Sequence, residues 1–116
     1  MTLSMKVLAK NNRMEKIMKT ESALIREYGR DSARKIMQRI AELKNSENLY
    51  EVASLRYTGL HLLSQDRKGQ WALKLNANRR MTITAYETQE GDELSGNEYL
   101  KSIKTVIIEE LCIDYH

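Results

Sequence analysis

The alternation of apolar and polar side chains between Gly59 and Ile83 constrains the fold of this chain more than any other stretch. Successive side chains of a β-strand point to opposite faces, so each alternating run predicts a strand with one apolar and one polar face. The apolar positions of the two longest runs are Trp71, Leu73, Leu75, Met81, Ile83 and Ala85. The polar positions of these runs are Gln70, Lys74, Asn76, Arg80, Thr82 and Thr84. We therefore predict two strands that bury one face against helices and leave the other face wet and basic.

Charge is concentrated in the same region. Residues 56–80 contain six Lys and Arg residues against one acidic residue, Asp66, whereas residues 81–116 contain two basic and eight acidic residues. A cationic centre beside an acidic tail is typical of a protein that binds an anion at its centre. The same cations also fit a strand face that is simply solvated, and charge alone does not separate the two interpretations.

Length and composition indicate one globular domain over residues 1–116. Hydrophobic residues make up 41% of the chain and charged residues 30%, which is a globular rather than a disordered composition. The single cysteine, Cys112, excludes an internal disulfide and fits a reducing compartment. The N-terminal residues contain no long apolar run. We therefore expect neither a signal peptide nor a membrane span, and a soluble cytoplasmic protein.

The segment before these strands changes from a strand period to a helix period. Residues 3–7 alternate and predict a short opening strand, and residues 12–28 place apolar side chains at three- and four-residue steps, as a helix does. Gly29 is expected to end this helix, and Asp31 or Ser32 to cap a second one. Cationic side chains are expected opposite the apolar stripe of the second helix; they are Arg30, Arg34, Lys35 and Arg39.

Three further segments complete the predicted order. Residues 49–52 indicate a short helical turn, and the polar, glycine-containing residues 88–97 indicate a mobile loop or an extended hairpin tip. Residues 104–116 contain a β-branched run that predicts a final strand. Together with a short apolar strand at Leu60-His61-Leu62-Leu63, before the basic glycine turn, the order β-α-α-β-β-β-β predicts an α+β fold, with a mostly antiparallel sheet and an N-terminal helical hairpin packed on one face.

Four motifs, taken in this order, make the chain similar to a known family. They are Leu60-His61-Leu62-Leu63, Asp66-Arg67-Lys68-Gly69-Gln70-Trp71, Asn78-Arg79-Arg80-Met81-Thr82-Ile83 and the closing Asp114-Tyr115-His116. Together with the helical segment from Tyr28 to Lys44, they resemble the RelE/HigB superfamily of bacterial toxins, and within it the plasmid maintenance system killer branch. The resemblance covers most of the chain and leaves residues 87–104 unmatched, as an insertion.

The resemblance implies a RelE-like fold and the toxin of a type II toxin–antitoxin system, an endoribonuclease that cleaves mRNA on the ribosome and so inhibits translation. No metal and no cofactor are implied. The implied partners are a small helix-turn-helix antitoxin of the HigA type, the ribosome and mRNA, with operator DNA contacted only through the antitoxin. The residues that match the family's catalytic set are His61, Arg80, Asp114, Tyr115 and His116. A gyrase-type protein-poisoning toxin and a non-catalytic RNA- or ribosome-binding module stay as alternatives on the same fold.

The chemistry of metal-free RNA cleavage gives these residue types a physical role. A base must remove the proton of the ribose 2′-OH, a cation must stabilise the phosphorane, and an acid must protonate the leaving 5′ oxygen. Histidine titrates near neutral pH and can act as base or acid, and an arginine fork suits two phosphate oxygens. We expect His116 to be the main proton-transfer residue, completed by Tyr115 and Asp114. Arg80 would hold the scissile phosphate, and His61 would add a second proton transfer or a phosphate contact.

Each of these residues also has a structural interpretation. His61 lies among leucines, as a buried structural histidine does, and His116 can be a frayed end. Strict alternation places Tyr115 on the face opposite Asp114 and His116, so Tyr115 is a core residue unless the strand bulges or ends before it. Trp71 is expected in the core, with base stacking as the alternative.

Four other cations are expected to bind the RNA backbone, since cations along a sheet face neutralise phosphates without reading sequence. They are Arg67, Lys68, Lys74 and Arg79. Alternatively, some of them pair with the acidic residues of the 87–98 segment. Leu62 and Ser64 depart from the branch, which often has proline and lysine there, so one phosphate contact is lost. No spacing of zinc or magnesium ligands is present.

Overall fold

The structure is a computed structural model and describes residues 4–63, 69–86 and 96–114. Within these ranges the strands are β1 (Lys6–Ala9), β2 (His61–Leu62), β3 (Gln70–Asn76), β4 (Arg79–Ala85) and β5 (Thr105–Asp114). The helices are α1 (Asn12–Met18), α2 (Glu21–Tyr28), α3 (Arg30–Asn45), α4 (Leu49–Ser54) and α5 (Gly96–Ser102), and a 3₁₀ turn covers Arg56–Thr58. The described strands form one sheet in the order β1-β5-β4-β3-β2.

The sheet is mostly antiparallel, as predicted. β1 runs parallel to β5, and the pairs β5–β4, β4–β3 and β3–β2 are antiparallel. The last strand in the chain therefore lies inside the sheet, between the first strand and the β2–β3–β4 meander. The predicted α+β class with helices on one face is confirmed.

Side-chain caps divide the first helical region into two helices. The Thr20 hydroxyl accepts a hydrogen bond from the backbone N–H of Ala23 at 3.2 Å, which satisfies one of the unpaired donors at a helix N-terminus. The prediction of one helix over residues 12–28 is therefore wrong in this detail, because α2 starts at its own cap soon after α1 ends at Met18.

The second predicted helix is α3, and two details of it differ from the prediction. Gly29, with φ of 86°, ends α2 and directly precedes α3, so Asp31 and Ser32 lie inside the first turn instead of capping it. Arg39 is not on the solvated side of the helix, since 4% of it is exposed. The remaining buried face of α3 is apolar, as its period predicts.

The core lies between the helices and one face of the sheet. Its buried side chains include Met5, Ile17, Leu24, Ile36, Leu43, Leu49, Leu73, Leu75, Met81, Ile83, Ile103, Val106, Ile108 and Leu111. The predicted apolar face of β3 and β4 is thereby confirmed, and Trp71 packs half-buried against the same core. Burying a side chain of this size contributes about 1.5–3 kcal/mol, so this layer positions the strands that carry the candidate site.

The opposite face of the sheet is less basic than predicted. The Thr84 hydroxyl donates to the Glu109 carboxylate at 2.8 Å, and the Thr82 hydroxyl donates to the Glu110 carboxylate at 3.3 Å. Two acidic side chains of β5 thus lie beside β4 on this face. Thr82 is also fully buried, so the prediction of a uniformly wet and basic face is wrong at its centre.

The segment predicted as a loop contains a helix at its end. α5 begins at Gly96 and lies against α4, where the Lys101 ammonium sits 4.9 Å from the centre of the Tyr50 ring. The Leu49 N–H also donates to the Ile103 carbonyl at 3.1 Å. Residues 87–95 lie outside the described residues. Among the helices that the structure describes, none is long and apolar enough to cross a membrane.

Candidate functional site

The sheet register places several predicted site residues on one face. Residues directly paired in neighbouring strands point to the same side of a sheet. One row of paired residues crosses the sheet as His61, Ala72, Thr82 and Glu110, and a second row crosses it as Lys74, Arg80 and Ile113. These rows lie on the side opposite the apolar core, and we call this side the open face. His61, Lys74 and Arg80 therefore lie on the same face.

Small side chains form the floor of the open face. Ala72 is 1% exposed and Thr82 is 0% exposed, although neither belongs to the helical side of the sheet. Longer side chains surround them, among them His61, Lys74, Arg80 and Glu110. Two strand spacings of about 4.8 Å separate the Cα atoms of His61 and Thr82 by about 10 Å.

The tautomer of His61 follows from one contact. Its Nδ1 lies 2.9 Å from the carbonyl oxygen of Gly59. A carbonyl can only accept a hydrogen bond, so Nδ1 carries the proton and donates. In the neutral ring Nε2 is then the basic nitrogen, which is the arrangement that a general base requires.

The Arg80 side chain is tethered to the turn between β3 and β4. Its Nη1 donates to the carbonyls of Asn76 at 2.8 Å and Arg79 at 2.9 Å. The Asn76 side chain itself accepts from the N–H of Asn78 at 2.9 Å, which closes the turn. A guanidinium has five N–H donors in a rigid plane, so these two hydrogen bonds fix the orientation of the Arg80 fork.

Lys74 is held through its backbone while its side chain is exposed. Its carbonyl accepts a hydrogen bond of 2.6 Å from Nε of Arg39. Gly59, with φ of 60°, lies against it, and a Cβ at position 59 would stand 3.3 Å from the Lys74 Cβ. Gly59 therefore touches Lys74 and also accepts from His61, so one glycine links two residues of the open face.

Asp114 and Arg79 lie on the other side of the sheet. They are directly paired in the β4–β5 register, and the Arg79 guanidinium donates to the Asp114 carboxylate. Since Arg79 precedes Arg80 in an extended strand, the two arginines point to opposite faces. The structure therefore does not bring Asp114 to Arg80. Arg79 and Asp114 instead border a groove with Ser32 at the start of α3.

β5 itself is irregular where it pairs with β4. The β4–β5 register shifts between Arg80 and Thr82 and again between Thr82 and Ile83. Each shift adds a residue to β5 and changes which positions face the helices. Ile108 and Leu111 are both buried in the core although they are three positions apart, which simple alternation does not allow.

Cys112 lies beside the Arg79–Asp114 pair. Burial raises the pKa of its thiol, while a hydrogen bond with Ser32 and the charge of Arg79 lower it and the charge of Asp114 raises it. The net effect is a pKa above the ordinary value, so the thiol is protonated at neutral pH. It has no part in the open face.

Four predicted site residues lie outside the described residues: Arg67, Lys68, Tyr115 and His116. Within the described ranges there is no group of three or more His, Cys, Asp or Glu side chains that could hold a metal ion.

Two residues that contact the open face, Gly59 and Arg39, were not predicted from the sequence. Gly59 could have been found from its position just before the Leu60-His61 motif. No local pattern in the sequence identifies Arg39.

Comparison with known proteins shows the fold. No model of a known protein family matches the sequence, and no protein of curated function is significantly similar to it. Among solved structures, the chain is similar to the YoeB/ParE toxin from Agrobacterium tumefaciens, with a TM-score of 0.52 and 10% sequence identity. The match covers 97% of this chain and 100% of that one. The chain therefore shares the fold of that toxin, in agreement with the RelE-like α+β fold predicted from the sequence, and this likeness does not assign the chain to the HigB branch.

Proposed function

We propose that this chain is the toxin of a type II toxin–antitoxin system and that it is a metal-free, ribosome-dependent mRNA endoribonuclease of the HigB type. The observation that carries the proposal is the placement of His61, Lys74 and Arg80 on one face of the sheet, opposite the apolar core. The similarity of fold to a YoeB/ParE toxin over nearly the whole of both chains supports the toxin role.

The proposed reaction is attack of the ribose 2′ oxygen on the adjacent phosphorus. The base removes the 2′-OH proton, the new O–P bond forms, and the acid protonates the leaving 5′ oxygen, which gives a 2′,3′-cyclic phosphate and a 5′-OH end. Arg80 stabilises the charge on the phosphorane through its fixed fork. His61 has Nε2 as the basic nitrogen of the neutral ring, which suits it to accept a proton or, once protonated, to contact the phosphate.

The roles of the two closing residues rest on the resemblance in sequence. In the proposal, His116 is the main proton-transfer residue and Tyr115 assists it. The ion pair with Arg79 supports a different role for Asp114 from the one expected. We propose that it fixes the end of β5 and does not touch the phosphate.

The cations divide into two groups in the proposal. Lys74 is exposed beside Arg80 and binds the RNA backbone. Arg67 and Lys68 are proposed to bind it as well, on the resemblance alone. Arg79 is proposed to contribute less than expected, because its guanidinium pairs with Asp114 on the other side of the sheet.

The proposed partners follow from the proposed activity. A small open site cannot orient flexible RNA by itself, and the ribosome supplies that orientation by holding the mRNA in its decoding centre. The attacking 2′-OH makes the reaction specific for RNA. A HigA-like helix-turn-helix antitoxin would hold the toxin inactive, and operator DNA would be bound through it. The toxin would act in the cytoplasm.

The test is primer extension on mRNA from bacteria that express the wild-type protein, His61→Ala or His116→Ala. Wild type should produce cuts inside ribosome-bound codons, and each histidine variant should lower the cleavage rate on the order of 10²–10⁴-fold. Lys35→Ala, an exposed change on α3, is the matched control and should behave as wild type. Binding to ribosomes without any cuts would identify a non-catalytic module, and growth arrest with loss of DNA supercoiling would identify a gyrase poison. Either result contradicts the proposal.

A further inference from the structure

Arg39 is a buried charge that joins three parts of the molecule. Its Nε donates to the Lys74 carbonyl at 2.6 Å, and its Nη1 donates to the Glu42 carboxylate at 3.0 Å. Its guanidinium carbon also lies 5.3 Å from the centre of the Tyr57 ring. Arg39 belongs to α3, Lys74 to β3 and Tyr57 to the 3₁₀ turn. One side chain therefore connects a helix, a strand of the open face and the turn that precedes His61.

The 3₁₀ turn extends this set of contacts to His61. The Tyr57 hydroxyl donates to the Glu42 carboxylate at 2.6 Å, and this hydrogen bond raises the pKa of Tyr57, so the hydroxyl stays protonated as a donor. Thr58 follows, fully buried, with its hydroxyl donating to the Leu55 carbonyl at 2.7 Å. Gly59 comes next, and its carbonyl accepts from Nδ1 of His61.

Two short routes of contacts thus connect the Arg39 guanidinium to Lys74 and to His61. The first is direct, through the Lys74 carbonyl. The second runs through Tyr57 and the two residues after it to the carbonyl of Gly59. The two routes meet again, because Gly59 lies against Lys74.

We propose that Arg39 is a positioning residue for the open face, which sets the distance between His61 and Lys74 and fixes the tautomer of the His61 ring. This inference rests on the proposed nuclease function for its effect on activity, while its effect on His61 does not depend on that function. Arg39 does not touch the RNA, since it is buried on the helical side of β3.

The geometry explains why an arginine is needed. The fork presents Nε and Nη1 to two different acceptors while its carbon lies 5.3 Å from the centre of an aromatic ring, and a single ammonium cannot do all three. Arg39→Lys should therefore keep the charge and one of the contacts, and Arg39→Met should lose both hydrogen bonds at a similar volume. Tyr57→Phe should keep the ring under Arg39 and remove the hydrogen bond to Glu42.

The test combines nitrogen-15 NMR of the imidazole rings with the cleavage assay. The chain has two histidines, so the His61 signals are assigned by comparison with His116→Ala. In wild type we expect one tautomer, with the proton on Nδ1. In Arg39→Met we expect the His61 signals to move toward a mixture of tautomers, and the cleavage rate to fall about 10²-fold, the effect of a displacement of about 1 Å. In Arg39→Lys and Tyr57→Phe we expect the same changes in the His61 signals and in the cleavage rate, but smaller ones. If Arg39→Met does not fold, these two variants provide the test.

Arg34→Met is the matched control, because Arg34 is exposed on the same helix. It should leave both the His61 signals and the cleavage rate at the wild-type values. His61 signals that stay unchanged in folded Arg39 and Tyr57 variants would overturn the positioning role, whatever the activity. If wild type itself cleaves no RNA, the nuclease proposal fails, and the NMR result still decides whether Arg39 positions His61.

Discussion

Replacing Gly59 with alanine tests the link between the 3₁₀ turn and β3. Gly59 has φ of 60°, in the left-handed region, and an L residue there costs about 1–2 kcal/mol. The added Cβ would also stand 3.3 Å from the Lys74 Cβ. Lys74 cannot move away easily, because Arg39 holds its carbonyl at 2.6 Å. Overpacking of this kind adds roughly 1 kcal/mol, so we expect Gly59→Ala to lower the free energy of unfolding by about 2–3 kcal/mol.

Gly96 provides the matched control, since its φ is 57° and, within the part of the chain that the structure describes, nothing lies within 4 Å of a Cβ built there. Gly96→Ala should therefore cost only the backbone term, about 1–2 kcal/mol. Urea unfolding measures both variants, and the difference between them isolates the contact with Lys74. Equal losses of unfolding free energy in the two variants would show that the Lys74 side chain moves away from the new methyl group without a measurable cost. A Gly59→Ala protein as stable as wild type would refute the left-handed conformation on which the reasoning depends.

The remaining predictions concern Arg39 and Cys112. Arg39→Met should lower the free energy of unfolding by about 3 kcal/mol, because it leaves the Glu42 carboxylate largely buried without its cation. In the same urea titration, Arg34→Met should change it by less than about 0.5 kcal/mol, and equal losses would contradict the buried pair. Cys112 should react with iodoacetamide more slowly at pH 8 than a free cysteine, because burial raises its pKa and less thiolate is present. Asp114→Asn should speed this alkylation, since it removes the carboxylate that raises the pKa; a slower reaction would contradict the placement of Asp114 beside the thiol.

Much of the fold is predictable because local patterns determine it. The alternation in residues 70–85 is sufficient to predict β3 and β4 and the side of each that is buried, and the helical period identifies the helices before them. The same alternation places Lys74 and Arg80 on one face, since their strands are joined by a tight turn. His61 joins them because the short strand β2 pairs with β3 in a register that puts it opposite Ala72.

Other features depend on contacts that no local pattern contains. Arg39 falls among cations in the helical period, and its burial is stabilised by a carbonyl 35 positions away. The burial of Leu111 on the same side as Ile108 results from the register shifts in β5, where alternation alone predicts opposite sides. The division of residues 12–28 into two helices depends on the cap formed by Thr20. The apolar period continues across this residue, so the sequence pattern does not reveal the break.

The position of β5 has a consequence for the order of folding. β1 pairs with β5, and Val7 and Val106 are direct partners although almost the whole described chain separates them. Pairing of such distant segments pays a large loop-closure entropy before any contact compensates for it. On a translating ribosome, the helices and the β2–β3–β4 meander can form early, but the sheet cannot close until β5 has left the exit tunnel. A nascent chain that lacks β5 therefore exposes one edge of β4 and part of the core, and it should be a preferred substrate for chaperones and proteases.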